Sequence, residues 1–515
     1  MEFWFLLLAS ICLYFSCVSL LHILSNKKLP PSPPTLPILG NIYWLLKSSK
    51  NFADIEPVIH HLRSQYGPIV TLHIGSRPSI FFTTHEAAHR ALVKNGTVFA
   101  GRPPALETTR VLLSNHCTVS SAPYGPLWRL LRQNLMSVIH ISKLKSYSHG
   151  RKWAYSLLRD KLLTEAKFGN AIPVLQHVHH AMFGLLSYMC FGVKFDEKTI
   201  EDIKTTQQAV LSNFIRFNKL NFFPTLGKIV FRNLWKELLQ LRQNRANVLV
   251  PIIKARQKWL LNRSINNDHE KEEDEEGILS YFDTLMDLQL PGSTGRKLTD
   301  DEKLSLCSEF LMAGTDTTST TLQWAMANLV KNQDVQKRLL DEINSVVKSD
   351  EEITLEHLPK MPYLKAVVLE TLRRHPPAHF ILPRAVLKDT VIDGYDIPKD
   401  ALVNFAVAEM SWDENVWEEP MEFRPERFIP QAGQEGAKFD IKGVADIKMM
   451  PFGAGKRICP AITISLMHIE YFVANLVRDF EWKVGNDEEV DLTEKQVFTV
   501  VMKYPLTALL SPRIQ

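Results

Sequence analysis

One short run limits what this chain can become more than any other feature: Phe452-Gly453-Ala454-Gly455-Lys456-Arg457-Ile458-Cys459-Pro460. Two glycines allow backbone turns that other residues resist, so the chain can close around the sulfur of Cys459. A helix is expected just after it, to about Val477, with Pro460 suited to the first helical position. Backbone N–H groups and the positive end of the helix dipole would favour thiolate over thiol, and a thiolate is the form that ligates a metal. Arg457 is placed to pair with a carboxylate. A buried structural cysteine is the plainer reading of a lone free Cys, but this surrounding argues against it.

The other cysteines (Cys12, Cys17, Cys117, Cys190, Cys307) are scattered, with no C-x-x-C pair, so neither a disulfide framework nor a zinc site is indicated. A reducing compartment follows. With 60 basic and 56 acidic residues the net charge is +4, too balanced to suggest nucleic acid as a partner. Apolar residues at 45% supply ample core in 515 residues, and no long structureless linker is evident.

From Phe3 to Asn26 there is no charged residue, and 24 residues of helix reach about 36 Å, enough to cross a hydrocarbon layer of roughly 30 Å. A cleaved signal peptide is the rival. The length, Glu2 and the lack of a small-x-small cleavage site oppose it. Lys27 and Lys28 follow the span and favour the cytoplasmic side, so the body belongs in the cytosol. The sequons at Asn95 and Asn262 should then carry no glycan. The next segment, Leu29 to Pro37, is proline-rich and should form an extended, semi-rigid spacer.

Residues 67–84 read as two strands around a turn, and most of the rest is helical in pattern. The acidic run Asp268 to Glu276 reads as a solvated loop. A long helix should begin near Thr299, which has capping-box spacing to Glu302, and continue to about Val330. Inside it, Ala313-Gly314-Thr315-Asp316-Thr317-Thr318 is a poor helix sequence, because glycine costs about 1 kcal/mol relative to alanine and threonine hydroxyls bond the preceding turn. A polar notch is expected there, with Thr317 to hold water and Asp316 to feed protons. Proton delivery of this sort is typically worth about 10²- to 10⁴-fold in rate. A hydroxyl-rich face satisfied by its own backbone is the alternative. In a helix expected over Tyr363 to Arg374, Glu370 and Arg373 share a face and can pair.

Taken together these segments resemble the cytochrome P-450 superfamily. Its haem-binding pattern, Phe-x-x-Gly-x-Arg-x-Cys-x-Gly, is matched at Phe452, Gly455, Arg457 and Cys459, and missed at Ala461. The extra methyl at Ala461 is expected to crowd the helix against the porphyrin. Ala313 to Thr318 matches the family's oxygen-activation motif. Glu370 and Arg373 match Glu-x-x-Arg, which the family locks with a later arginine, here Arg427 in Phe423-Arg424-Pro425-Glu426-Arg427-Phe428. These three would form a buried scaffold network. Trp128, Arg132 and Arg384 match patterns for propionate binding, as does Arg457. Finer features resemble plant microsomal (A-type) enzymes, and Lys360 to Val367 is similar to family eighty-nine, subfamily A.

The resemblance implies a mainly α fold with a minor β component, one large haem domain behind a transmembrane helix. The expected boundaries are anchor 1–28, hinge 29–41 and haem-thiolate monooxygenase domain 42–515. The cofactor is expected to be haem b (iron protoporphyrin IX), with Cys459 as axial ligand of the iron. One atom of O2 would enter a lipophilic small molecule in plant secondary metabolism. Electrons would come from NADPH through a membrane-bound flavoprotein, NADPH-cytochrome reductase. Lys448, Lys456 and Arg129 would form its docking face, or be solvated charges. The enzyme would sit on the cytosolic side of the endoplasmic reticulum membrane. Substrate contacts are expected at Leu306, Phe310 and Ala313, at His379, Phe380 and Leu382, and from Phe498 to Val500. Two rivals stay open: a haem-thiolate isomerase or dehydratase, and a non-catalytic haem-binding protein. Asp316 and Thr317 argue against both.

Overall fold

The computed structural model describes residues 28–36, 40–41, 55–74, 77–114, 117–221, 224–266, 278–292, 295–429, 439–485 and 489–513. These fall into two compact units, each drawn from separated stretches of chain. The first takes the described residues up to Pro103, Ala378–Glu419 and Asp440–Ile458; the second takes Pro104–Pro377, Pro420–Phe439 and the chain from Cys459 onward.

In the first unit, helix α1 (Ile55–Tyr66) buries Val58, Ile59 and Leu62 along one stripe. Strands β1 (Ile69–Ile74) and β2 (Arg77–Phe82) are antiparallel, and lie within the stretch read as a strand pair. β2 then pairs in parallel with β4 (Leu402–Phe405), and β3 (Arg384–Ala385) closes the order β1-β2-β4-β3. Phe82 stacks on Phe405 with centroids 5.0 Å apart, and Phe99 meets both edge-on. Such aromatic contacts supply much of the cohesion of so small a sheet. The proline-rich segment lies along this sheet: the Thr71 N–H donates to the Pro31 carbonyl at 2.8 Å, and the Asn41 amide to those of Pro33 and Pro34.

The second unit is helical: α2 (Pro126–Ile139), α3 (Ser148–Ala166), α4 (Val174–Phe191), α5 (Glu197–Phe217), α6 (Arg232–Asn266), α7 (Asp300–Lys331), α8 (Gln333–Val346), α9 (Pro362–Arg374) and α10 (Ile462–Asp479). α7 is the long helix expected, capped by reciprocal bonds between Thr299 and Glu302. α4 is apolar on nearly every face, as its burial from Val178 to Phe191 requires. It lies so close to α7 that a Cβ on Gly314 would stand 2.2 Å from Leu186 Cδ1. A small antiparallel sheet, Phe480–Lys483 with Thr507–Pro512 and Ile172–Pro173, completes the unit.

The proposed anchor (apart from Lys28) and the acidic run lie outside the described residues. Among the described residues, no helix is long and apolar enough to cross a membrane.

Candidate active site

The cysteine loop begins in the first unit. Gly453 and Gly455 have φ of +69° and +70°. A Cβ on Gly455 would lie 1.9 Å from the Leu92 carbonyl oxygen, so this position admits glycine alone. Arg457 is buried; its Nε donates to the Ala100 carbonyl at 2.6 Å, and the Arg384 guanidinium reaches the carbonyl of Arg457 at 3.4 Å. Two buried arginines from distant parts of the chain are thereby brought together. Phe452 is half-buried.

In the second unit, Cys459 accepts an N–H from Ala461 at 3.4 Å. Helix α10 starts at Ile462 with Ala461 as its N-cap, so Pro460 precedes the helix instead of opening it. Ala461 has φ −95° and ψ 16°, open to any L-residue, and its methyl carries no backbone cost. Burial dominates at the sulfur and pushes the Cys459 thiol up, against the Ala461 N–H and the positive charge of Arg132. The expected helix-dipole preference for thiolate is thus outweighed by desolvation; a coordinated cation deprotonates a thiol outright. Arg132 lies with its guanidinium 5.5 Å from the ring centroid of buried Trp128, both on α2.

The stretch Ala313 to Thr318 lies in the middle of α7, and Thr317 back-bonds to its own helix as the hydroxyl-satisfied alternative expects. The helix runs unbroken through the stretch, and the Thr317 hydroxyl donates to the Ala313 carbonyl at 2.7 Å. Asp316, with a side chain 15% exposed, accepts at Oδ2 from the Thr499 hydroxyl at 2.8 Å. Its Oδ1 faces His179 Nε2 at 3.9 Å. Burial raises the Asp316 carboxyl above the usual aspartate value, with the Thr499 bond opposing it. Burial also drives His179 down to about 4, so this histidine is neutral.

The scaffold residues converge. Arg373 and Glu370, both wholly buried, form two bonds of 2.7 and 2.8 Å. Arg427 Nε donates to Glu370 at 3.3 Å, and the backbone N–H of Arg424 donates to the same oxygen at 2.8 Å. Arg373 also reaches the carbonyls of Pro420 and Glu422. Glu342 joins this framework unannounced by any motif. Its carboxylate takes the N–H groups of Tyr363 and Leu364 at 2.8 Å each and so caps α9.

The expected substrate residues scatter more. Leu306 is fully buried on α7, Phe310 stacks on Tyr281 at 4.9 Å, and Ala313 is exposed. Phe498 meets Phe214 edge-on. In the first unit, His379 pairs with Glu56 and packs against Trp412, which fits a packed loop histidine. Phe380 meets Phe81 edge-on, and Leu382 is 52% exposed. Thr499, His179 and Gln208 were not singled out from the sequence for this site. Thr499 fell within a stretch expected to supply apolar contacts, and no local pattern distinguishes the other two.

Comparison with known proteins decides the family. The cytochrome P450 family model matches residues 30–510. The chain belongs to the cytochrome P450 family.

Among relatives of this P450, cytochrome P450 89A9 of Arabidopsis thaliana is 45% identical over 508 residues, 96% of each chain. Costunolide synthase of Tanacetum parthenium is 30% identical, covering 99% of this chain and 98% of that one. Tabersonine 16-hydroxylase 2 of Catharanthus roseus is 29% identical, covering 92% and 90%. A zebra fish cytochrome P450 solved with progesterone shares the fold at TM-score 0.74 and 22% identity, over 89% of this chain and 99% of that one. The family 89 resemblance holds, and the protein is a monooxygenase of a family that binds haem b through a cysteine thiolate. The donor chemistry here fits that group. In the second unit a single thiol with Arg132 near it suits iron, and in the first unit buried Arg384 and Arg457 are cations of the kind that pair with propionates.

Proposed function

We propose that this cytochrome P450 inserts one oxygen atom from O2 into a lipophilic small molecule, with electrons from NADPH through a membrane-bound flavoprotein reductase. Cys459 would hold the iron through its thiolate, and Arg132, Arg384 and Arg457 would bind the propionates. Haem supplies the oxygen-activating chemistry when bound. Asp316 supplies its protons through a water that Thr317 holds, and the part-buried Asp316–Thr499 bond is the observation that carries this reading.

The Thr317 proton is committed to the Ala313 carbonyl, so its oxygen is left to accept a hydrogen bond from water. Asp316, held by Thr499 and raised by burial, keeps its proton further up the pH scale than a surface aspartate does. A rearranging enzyme or a haem carrier has no use for such a pair. Leu306, Phe310, Ala313, Phe380, Leu382 and Phe498 favour an apolar substrate by their composition.

The uncharged run Phe3 to Asn26 supports an anchor in the endoplasmic reticulum, with the body on the cytosolic side. Leu226, Ile229 and Val230 add an exposed apolar surface, Ile229 at 71%, of the kind lipid covers.

The reduced, carbon-monoxide-bound difference spectrum of wild type beside Cys459→Ser tests the iron site. The thiolate band should be present in the first and lost in the second. Its absence from folded, haem-containing wild type would overturn the reading. NADPH- and O2-dependent turnover with added reductase then separates a monooxygenase from an isomerase or a carrier.

A further inference from the structure

Asp316 faces a second side chain, besides Thr499, that the family motif does not specify. His179 on α4 is buried, and its Nδ1 lies 3.0 Å from the amide nitrogen of Gln208 on α5. An amide nitrogen donates, so Nδ1 accepts and the ring proton of the neutral imidazole sits on Nε2. That Nε2 faces Asp316 Oδ1 at 3.9 Å, beyond hydrogen-bond length and within reach of a small side-chain shift. Catalytic hydrogen bonds commonly tighten only when the site is occupied. The other carboxylate oxygen is already taken by Thr499, whose hydroxyl also lies 3.3 Å from that of Thr320.

We propose that His179 is a positioning residue for the oxygen chemistry: Gln208 fixes its Nε2–H tautomer, and that N–H, with Thr499, sets which way the Asp316 carboxyl faces. The inference rests on the proposed role of Asp316. The proton on Nε2 lets His179 donate to Asp316, while Gln208 occupies the nitrogen through which a proton could enter from the far side. His179 therefore orients the acid and does not relay protons to it. Lys204 is the charged neighbour that also bears on His179, and it further disfavours the imidazolium. A carboxyl free of His179 turns away from the chemistry more of the time.

The consequence is readable without knowing the substrate. When proton supply is adequate, substrate-free enzyme can reduce O2 fully: O2 + 2 NADPH + 2 H⁺ gives 2 H2O + 2 NADP⁺. When it is poor, reduction stops early: O2 + NADPH + H⁺ gives H2O2 + NADP⁺. The full chain, reconstituted with reductase in lipid and given NADPH alone, is assayed for peroxide released per NADPH oxidised. His179→Phe should raise the ratio of peroxide to water several-fold, up to roughly tenfold, as expected for loss of a hydrogen bond to a charged group. Asp316→Asn should move it the same way. His179→Gln, whose amide can place a donor near the position of Nε2, should restore most of the wild-type ratio, and Gln208→Leu should give an intermediate value.

The carbon-monoxide spectrum is recorded for every variant. A thiolate band in His179→Phe with a wild-type peroxide ratio would overturn this proposal and leave the iron site standing. No band in wild type would instead overturn the underlying reading. If His179→Phe fails to fold, Gln208→Leu and His179→Gln decide: both at the wild-type ratio supports a ring that merely fills space and sinks the positioning role.

Discussion

The hydroxyl of Thr499 donates to Asp316 Oδ2 at 2.8 Å across 183 residues of sequence. It links the C-terminal stretch to the middle of α7, and it opposes the upward push of burial on the Asp316 carboxyl. Thr499→Val removes the donor while keeping the shape. The carboxyl should then rise further, and coupled turnover should fall by roughly ten- to a hundredfold with the thiolate band intact. Product formed per NADPH, measured against wild type on any accepted substrate, checks this. An unchanged coupling ratio would mean that Thr499 plays no part in proton supply.

Asp316 itself should show the opposing demands of stability and function. A carboxyl raised in the folded chain binds its proton more tightly there than in the unfolded chain. It therefore weakens the fold as pH rises through the window from the ordinary aspartate value to the raised one, and the deficit persists above that window. Asp316→Asn should raise the melting temperature at pH 7 to 8 and lower turnover together. A variant less stable than wild type at that pH would contradict the account.

Glu370 is the shared acceptor for Arg373, Arg427 and the Arg424 N–H, and it is wholly buried. Glu370→Ala or Arg373→Leu strands a buried charge and should cost about 3–5 kcal/mol, enough to prevent accumulation of haem-containing protein. Arg427→Lys should be milder, because its 3.3 Å bond to Glu370 sits nearer solvent. Yields of the thiolate spectrum from matched expressions would rank the three, and equal yields would show that the network is dispensable.

What the sequence revealed was local. The Thr299–Glu302 cap, the strand pair, the helix ending at Arg374 and the glycines around Cys459 each rest on residues a few positions apart, where backbone physics acts directly. What it concealed was long-range. Glu342 caps α9 from α8, Gln208 sets the face of His179, and Thr499 meets Asp316; none of these pairings leaves a trace in spacing. Pro460 shows the limit even nearby: a proline suited to N1 points to a helix start there, yet the turn that presents Cys459 delays α10 to Ile462. The division into two units is likewise a property of how distant stretches gather, with Ile458 in one and Cys459 in the other.

Gly455 and Ala461 should answer oppositely to exchange of one methyl. Gly455→Ala places a Cβ 1.9 Å from the Leu92 carbonyl oxygen at a positive φ, and neither the backbone nor Leu92 can yield cheaply. It should abolish the thiolate spectrum. Ala461→Gly restores the family pattern, but at φ −95° glycine has no conformational advantage to offer. Haem content and melting temperature should match wild type. A marked gain in haem retention would mean that the Ala461 methyl does crowd the cofactor.

Glu470 provides the sharpest pH test, because its environment is simple. It lies half-buried on α10, and loss of solvent around it pushes its carboxyl up to about 7 with only Lys365 opposing. The folded chain therefore holds this proton more tightly than the unfolded chain does. Its protonated form costs little below the ordinary glutamate value, and stability then falls as pH climbs towards about 7 and levels off above it. Glu470→Gln has no such slope. Melting temperatures of both proteins across about pH 5 to 8 should diverge, with the variant progressively the more stable as pH rises. Parallel curves would show that Glu470 ionises in the folded chain as freely as in water, and the desolvation argument for it would fail.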